Sequence, residues 1–181
     1  MTTHAMIDIE TLDTAPTSVV LSVGAVKFDP FKQEPHTKTL WRPNIDEQVK
    51  LGRTMSDDTL RWWSQQEKHI QDTTFSDDNR ITVEQLFKNL NKYLVGVDRI
   101  WAHGPQFDMV IIEDLYAQHN HHRGWAYWQI MDSRTLFNIM PVDPRKGVQQ
   151  NLHSADDDAY WQAVCVQEAY KFFNVDQSWG R

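Results

Sequence analysis

Cysteine is nearly absent from the sequence, which contains a single one, Cys165, in 181 residues. One thiol excludes an intramolecular disulfide framework and is typical of proteins in a reducing compartment. The sequence also lacks a basic N-terminal segment followed by an apolar run, and it has no apolar stretch long enough to span a bilayer. We therefore predict a cytoplasmic protein that is neither exported nor inserted into a membrane.

Basic residues are few as well, since 18 Lys and Arg accompany 25 Asp and Glu and the formal net charge is -7. A protein that coats a nucleic-acid duplex needs clustered Lys and Arg, so this composition argues against one. An enzyme that holds a few nucleotides at one strand end needs fewer phosphate contacts. The length, eight Trp, eight Phe and five Tyr predict one domain, 1–181, with a substantial core.

Two carboxylates lie close together in the apolar stretch from Met6 to Thr11. Alternate side chains of a β-strand leave the same face, so Asp8 and Glu10 share one surface about 6 to 7 Å apart. Like charges on a half-buried face repel one another, and the usual remedy is a divalent cation held by oxygen ligands. The pattern therefore predicts a metal site, with an exposed pair at a sheet edge as the alternative.

Hydrophobic periodicity predicts strands first and then strands that alternate with helices. The first three strands form an antiparallel meander and cover residues 6–11, 19–28 and 37–41. Two shorter strands are predicted at 98–103 and 127–131. Helices are predicted at 57–66, 82–94, 105–118, 133–139 and from about 154 to 173. A polar loop is predicted at 72–80. This order favours an α/β fold in which helices pack against a mixed sheet.

Two further aspartates stand in the first turns of predicted helices. Asp108 follows Pro105, a residue favoured at the first helical position, and Asp158 follows Ser154. The helix dipole favours negative charge there, so we expect both carboxylates to be ionised and ready to bind a cation. His153 precedes Asp158 by five residues and is a candidate general base, because its ordinary pKa lies near neutrality. Plain helix-start charges and a loop histidine are the alternatives.

Three motifs, in order along the chain, resemble those of the DEDDh group of DnaQ-like 3′-to-5′ exonucleases. Asp-x-Glu-Thr matches Asp8-Ile9-Glu10-Thr11, Phe-Asp at a helix start matches Phe107-Asp108, and His-x-Ala-x-x-Asp-Ala matches residues 153–159. Residues 6–11, 19–30, 60–66 and 101–108 also resemble DexA-type phage exonucleases and related exoribonucleases. Gly104 is a departure, because many members of the wider family have Asn there.

The resemblance implies a ribonuclease-H-like fold, with a five-stranded mixed sheet and helices on both of its faces. It also implies two divalent cations, Mg or Mn, in an all-oxygen site. By this resemblance Asp8 bridges both ions, Glu10 and Asp158 hold the ion that activates water, and Asp108 holds the other ion through water. His153 takes the proton from the attacking water.

The resemblance also implies substrate contacts, for which the candidates are Thr11, Leu12, Phe107 and His103. Leu12 and Phe107 are equally explained as core residues. Arg145 and Lys146 lie on the loop that leads to His153 and are candidates for contact with backbone phosphate, although a solvated pair is the commoner use of such charges.

The resemblance thus implies a metal-dependent 3′-to-5′ exonuclease that acts on the 3′ ends of single-stranded nucleic acid and releases nucleoside monophosphates. The DexA-like stretches favour DNA, and the protein would work in the host cytoplasm if a phage encodes it. A 3′-to-5′ exoribonuclease is the alternative within this class. A non-catalytic module that binds nucleic acid or a polymerase is the alternative from another class. The tryptophans leave room for a homodimer surface.

Overall fold

A mixed sheet of five strands forms the centre of the computed structural model, which describes residues 2–32, 37–146 and 153–178. The strands are β1 (His4–Thr11), β2 (Val20–Phe28), β3 (Lys38–Trp41), β4 (Arg99–Ala102) and β5 (Ile130–Asp132). Their order across the sheet is β3-β2-β1-β4-β5. β2 runs antiparallel to β1 and β3, whereas β1, β4 and β5 run parallel. The predicted meander followed by parallel strands is confirmed.

Seven helices surround the sheet in the part of the chain that the structure describes. They are α1 (Ile45–Lys50), α2 (Asp57–Ser64), α3 (Lys68–Phe75), α4 (Val83–Tyr93), α5 (Pro105–Gln118), α6 (Ser133–Asn138) and α7 (Ala155–Phe172). None of these described helices is long and apolar enough to cross a membrane.

Two local predictions were wrong, and besides α3 one more helix has no counterpart among the predicted helices. The predicted loop at 72–80 begins inside α3, and the C-terminal end of that helix is stabilised by the Arg42 guanidinium, which donates hydrogen bonds to the carbonyl oxygens of Thr73 and Thr74. The strand predicted at 127–131 begins instead as a 3₁₀ turn (Tyr127–Gln129), and β5 follows it. The additional helix is α1, within the polar segment 44–54.

The two faces of the sheet bury different helices, and the alternation along β1 decides which side chains meet which helix. Ala5, Ile7 and Ile9 belong to the core cluster that contains the buried residues of α4 and α5. Met6 belongs to the opposite cluster, together with residues of α6 and α7. Asp8 and Glu10 continue the series of Met6, so their side chains leave the sheet on the α7 side.

Gly24 allows the first turn of α7 to lie directly on the sheet. This glycine pairs with Asp8 across β1 and β2. A Cβ atom at Gly24 would lie 2.0 Å from the carbonyl oxygen of Ala155 and 2.4 Å from the backbone nitrogen of Asp156. The missing side chain therefore brings the helix that carries Asp158 next to the strand that carries Asp8.

Candidate active site

Three carboxylates from β1 and α7 converge at this contact. Asp8, Glu10 and Asp158 each offer one oxygen atom, and these three oxygens lie within 4.8 Å of one another. Oxygens bound to one Mg²⁺ lie about 2.1 Å from the ion, so small side-chain rotations would let all three share a cation. All three residues are partly exposed, which leaves a path for solvent and ligand.

A fourth carboxylate, that of Asp108, lies buried beside β1. It stands in the first turn of α5, after Gly104 with a φ of 101° and Pro105 at the start of the helix. Its Oδ1 accepts a hydrogen bond of 3.2 Å from the backbone N–H of Ile9, the residue between the two strand carboxylates. Asp108 is only 4 % exposed. The parallel half of the sheet thus adds its carboxylate to the site from the other side of β1.

Burial makes these four groups hard to ionise, and repulsion from the other carboxylates adds to this effect at Asp8 and Glu10. Burial raises the pKa of Glu10 to about 8, with further repulsion from Asp158 and Asp108. Burial also raises the pKa of Asp108 to about 7 and that of Asp158 to about 6. The pKa of Asp8 lies well above its usual range for the same reasons. The expectation that helix dipoles keep Asp108 and Asp158 ionised was therefore wrong, because desolvation outweighs the dipole.

This electrostatic arrangement fits a divalent cation. The donor set consists of carboxylate oxygens, which are the ligands that Mg²⁺ and Mn²⁺ prefer, and the one cysteine, Cys165, is buried in the core cluster beneath α7. A nearby cation would favour the ionised carboxylates and so remove the repulsion that raises their pKa values. The three carboxylates that β1 and α7 bring together can therefore hold such an ion at this place.

One consequence of these raised pKa values is that the folded protein loses stability as pH rises when a chelator is present. In the unfolded chain the Asp and Glu carboxyls lose their protons near their ordinary pKa values of 3.8 and 4.5, whereas the folded protein keeps protons on Glu10 and Asp108 up to pKa values of about 8 and 7. The folded state thus binds more protons in this window, and stability falls as pH rises through it. We expect the midpoint of thermal unfolding in EDTA to fall by about 5 °C between about pH 6.5 and pH 8.5.

The range from about pH 6.5 to pH 8.5 is chosen because it lies above the range in which the histidines change their charge. Burial lowers the pKa of His4 and His103 to about 4, which makes stability rise with pH below about 6.5. The control is the same titration with excess Mg²⁺, where a smaller fall is expected because the cation binds the ionised site. An unfolding temperature in EDTA that stays level or rises above about pH 6.5 would contradict this account.

The backbone of His153 contacts the carboxylate cluster. Its N–H donates a 3.2 Å hydrogen bond to Oδ2 of Asp158, and its φ of 69° is in the left-handed region. The imidazole packs edge-on against Trp62, with ring centroids 4.7 Å apart, and more distantly against Trp63. Burial lowers the pKa of His153, so the ring is neutral at pH 7 and can accept a proton.

A cavity of about 350 Å³ opens next to Glu10. Two predicted substrate residues, Thr11 and Phe107, line it, as do Trp62 and Trp63 of α2. The remaining lining residues are Ile9, Asp13, Thr14, Asp58 and Thr59. Trp62 is 40 % exposed, whereas Trp63 is buried and donates from its indole Nε1 to the carbonyl oxygen of Thr11. An exposed aromatic ring beside a carboxylate cluster suits a ligand with a flat ring and a phosphate.

Leu12 is placed differently from Thr11. It is 3 % exposed and packs in a core cluster with Val19, Leu21 and Trp63. Its backbone N–H binds the carbonyl oxygen of Val19. Of the two explanations given for Leu12 from sequence, the structure shows the core position.

His103 and Arg145 contact each other rather than line the cavity. Nη1 of Arg145 lies 2.7 Å from Nε2 of His103, while the same guanidinium makes a salt bridge with Asp143. Nδ1 of His103 lies 3.1 Å from the hydroxyl of Ser133. Lys146 is exposed at the end of this described segment. The structure therefore does not bring these three predicted substrate residues to the cavity beside Glu10.

Sequence reasoning missed Gln162 and the two tryptophans of α2. The amide Nε2 of Gln162 donates a 2.9 Å hydrogen bond to Oδ1 of Asp8. Gln162 follows Asp158 by four residues, a spacing that places both on one face of a helix. The same spacing relates Asp58 and Trp62, which both line the cavity. For Gln162, helical spacing from the candidate ligand Asp158 was thus the available signal.

Comparison with solved structures supports the predicted fold. Exonuclease X in complex with 5′-overhanging duplex DNA aligns with a TM-score of 0.64 and 14% identity over 98% of this chain and 96% of its own. The nuclease domain of 3′hExo, a DEDDh family member bound to rAMP, aligns with a TM-score of 0.57 and 12% identity over 96% and 92%. The ribonuclease-H-like fold, with its mixed sheet and helices, is therefore confirmed.

Exonuclease I is a similar but much longer protein. The E. coli enzyme in complex with a 5cy-dA13 oligonucleotide aligns with a TM-score of 0.65 and 11% identity over 94% of this chain and 41% of its own. The chain thus spans less than half the length of exonuclease I.

Family membership rests on a match to a protein-family model. No curated protein matches the chain significantly. The family described as "3'-5' exoribonuclease Rv2179c-like domain" matches residues 3–170. Because that match covers nearly the whole chain, the protein belongs to the Rv2179c-like 3′-5′ exoribonuclease domain family and is a 3′-5′ exonuclease.

Proposed function

We propose that the protein removes nucleotides one at a time from the 3′ end of single-stranded nucleic acid by two-metal phosphodiester hydrolysis. The observation that carries this proposal is the convergence of three carboxylates from β1 and α7, with the carboxylate of Asp108 bonded to β1, beside a cavity lined with aromatic side chains. A non-catalytic binding module would be expected to lack at least one of these carboxylates, and the sequence contains all four.

In this proposal, the position of each carboxylate decides which cation it would hold. Asp8 is close enough to the other three for each to raise its pKa, and it would contact both cations. Glu10 and Asp158 would hold one cation on the α7 side, and Asp108 would hold the other from the α5 side. Two bound cations, Mg²⁺ or Mn²⁺, would lower the pKa of the attacking water and stabilise the charge that develops on the attacking and leaving oxygens.

His153 is the proposed general base. Its backbone is bonded to Asp158 and its imidazole is neutral at pH 7, so the ring has the free nitrogen that a proton acceptor needs. Contact with Trp62 and Trp63 limits the positions that the ring can adopt. In this proposal the histidine accepts the proton of the water that attacks the terminal phosphodiester.

The cavity beside Glu10 is the proposed site of the 3′-terminal nucleotide. Trp62 and Phe107 would contact the flat base, and Thr11 would lie near the sugar. Acidic Asp13 and Asp58 also line the cavity, and no Lys or Arg is found among its described lining residues. Binding would therefore depend on stacking and on the cations more than on ionic contacts with the phosphate backbone.

Replacement of Trp62 tests the stacking contact. Stacking of a base on an aromatic side chain is worth about 1–3 kcal/mol, so Trp62→Ala should raise KM for a single-stranded oligonucleotide about 10- to 100-fold, with a smaller change in kcat. Steady-state kinetics with a 5′-labelled substrate measure both constants. Trp128→Ala is the control, because Trp128 is also exposed but lies near Arg99. Equal KM values for Trp62→Ala and wild type would exclude the stacking role.

RNA is the first substrate that we propose, because the family description names exoribonucleases. DNA, which the DexA-like stretches favour, is the second candidate, since exonuclease X and exonuclease I are both known in complexes with DNA. A single catalytic domain, cytoplasmic location and a homodimer stay predictions.

The direct test is a comparison of 5′-labelled RNA and DNA of the same sequence, each with a free 3′ hydroxyl. In Mg²⁺ or Mn²⁺ we expect a ladder of products that shorten from the 3′ end, no products in EDTA, and none with Asp158→Ala. Faster shortening of RNA would support the first substrate. Failure to shorten either strand, or release of the labelled 5′ nucleotide first, would contradict the proposed function.

A further inference from the structure

A buried amide on α7 contacts the carboxylate cluster through one of its two polar atoms only. Gln162 is 9 % exposed and lies one helical turn after Asp158. Its Nε2 donates a 2.9 Å hydrogen bond to Oδ1 of Asp8. Its Oε1 is buried and has no hydrogen-bond partner in the part of the chain that the structure describes. A buried acceptor without a partner is uncommon and calls for an explanation.

The neighbouring carboxylate fixes the orientation of this amide. Rotation by about 180° would turn Oε1 toward Oδ1 of Asp8, and a carboxylate that a bound cation keeps ionised can only accept hydrogen bonds. The amide therefore presents Nε2 to Asp8 and leaves Oε1 to another donor. The carbon between the two amide atoms is about 1.2 and 1.3 Å from them, so Oε1 lies within about 5.5 Å of Oδ1 of Asp8.

A water molecule bound to a cation is the donor that suits this place. Mg²⁺ usually keeps several of its waters when proteins bind it, and the hydrogens of those waters point away from the ion. An acceptor a few ångströms from a bridging carboxylate can receive one of them. Groups that orient metal ligands in this way typically change metal affinity or activity about 10- to 100-fold when they are replaced.

We propose that Gln162 is a positioning residue of the metal site: its Nε2 holds the carboxylate of Asp8 toward the cations, and its Oε1 accepts a hydrogen bond from a cation-bound water. This inference rests on the proposed function. It assigns a role to a residue outside the four carboxylates and His153, and it explains why a polar side chain occupies the face of α7 next to β1.

Binding of Mn²⁺ without substrate tests the proposal. Gln162→Met has a similar length and lacks both polar atoms. Isothermal titration is expected to show a Kd for Mn²⁺ that is about 10- to 100-fold higher than in wild type. Gln162→Ala, which cannot clash, is expected to show the same weakening. A Kd within about twofold of wild type in both variants would overturn the proposal.

The matched control is Gln167→Met on the same helix. Gln167 is also buried, and its Nε2 binds the carbonyl oxygen of Asp29, beyond the end of β2 that lies away from the carboxylates. This variant should bind Mn²⁺ as wild type does. Equal weakening in Gln167→Met and Gln162→Met would show a general effect of α7 packing and would overturn the specific role.

Two further measurements distinguish a failure of the proposed metal site from a failure of the role proposed for Gln162. If Asp8→Asn still binds Mn²⁺ as wild type does, the proposed metal site itself is wrong. If Asp8→Asn loses binding and the Gln162 variants do not, only the role of Gln162 is wrong. In nuclease assays, excess Mn²⁺ should restore the kcat of Gln162→Met, whereas a merely structural defect would persist at every metal concentration.

Discussion

Asp8→Asn is expected to lower nuclease activity about 1000-fold or more while it raises the thermal stability of the protein in EDTA. Each of the other three carboxylates raises the pKa of Asp8, and in the proposed mechanism loss of this ligand would remove several kcal/mol of metal-based stabilisation of the transition state. Asn keeps the shape and the oxygen that accepts from Gln162, but it removes a charge that Asp108, Glu10 and Asp158 repel. We expect the midpoint of unfolding in EDTA at about pH 8 to rise by about 3 °C.

This prediction is specific because activity should fall while the unfolding temperature in EDTA rises. A variant that merely disturbed folding would lose both activity and stability. Asp176→Asn is the control, because Asp176 is exposed near the end of the described chain, and it should change neither. Full activity in Asp8→Asn, or a lower unfolding temperature in EDTA, would contradict the view that Asp8 is a repelled charge retained for metal binding.

Gly24→Ala is expected to lower both the stability and the activity of the protein. The new methyl group would lie 2.0 Å from the backbone oxygen of Ala155, and backbone atoms at the start of α7 cannot move aside as the end of a side chain can. Overpacking of this kind costs about 1–3 kcal/mol, which corresponds to a fall of about 3 to 10 °C in the unfolding midpoint. Because α7 must shift, we also expect activity to fall at least about tenfold.

Gly124→Ala is the matched control for this substitution. A Cβ at Gly124 would meet only the side chain of Asn91, at 3.1 Å, so a small movement of that side chain would accommodate it. Calorimetry and nuclease assays on both variants measure the difference. Wild-type stability and activity in Gly24→Ala would mean that the close approach of α7 to β2 does not position Asp158.

The sequence predicted best those parts of the site that follow from local geometry. Asp8 and Glu10 could be placed on one face because strand alternation is a local rule. The ionisation of Asp108 could not be predicted, since it depends on desolvation by residues far along the chain. The pairing of His103 with Arg145 was equally hidden, because it joins side chains 42 positions apart.

The elements missed in the fold depend on long-range polar contacts. The end of α3 is held by Arg42, more than thirty positions earlier, and no local pattern in the helix signals that contact. Likewise, α1 is fixed by the buried Gln48, whose side-chain amide binds the backbone N–H and carbonyl of Val20. Amphipathic helices such as α4, which bury an apolar stripe, were predicted correctly because their signal is contained in the helix itself.

The central position of β1 in the sheet affects which parts of the site can accept substitutions. A strand hydrogen-bonded on both sides is among the last segments to exchange its amide protons, so the carboxylates it carries stand on the least pliable part of the molecule. The opposite wall of the cavity belongs to α2, a short peripheral helix with exposed side chains. If the cavity binds the strand end as proposed, substitutions on that helix would alter which strand end is accepted without disturbing the carboxylates of β1.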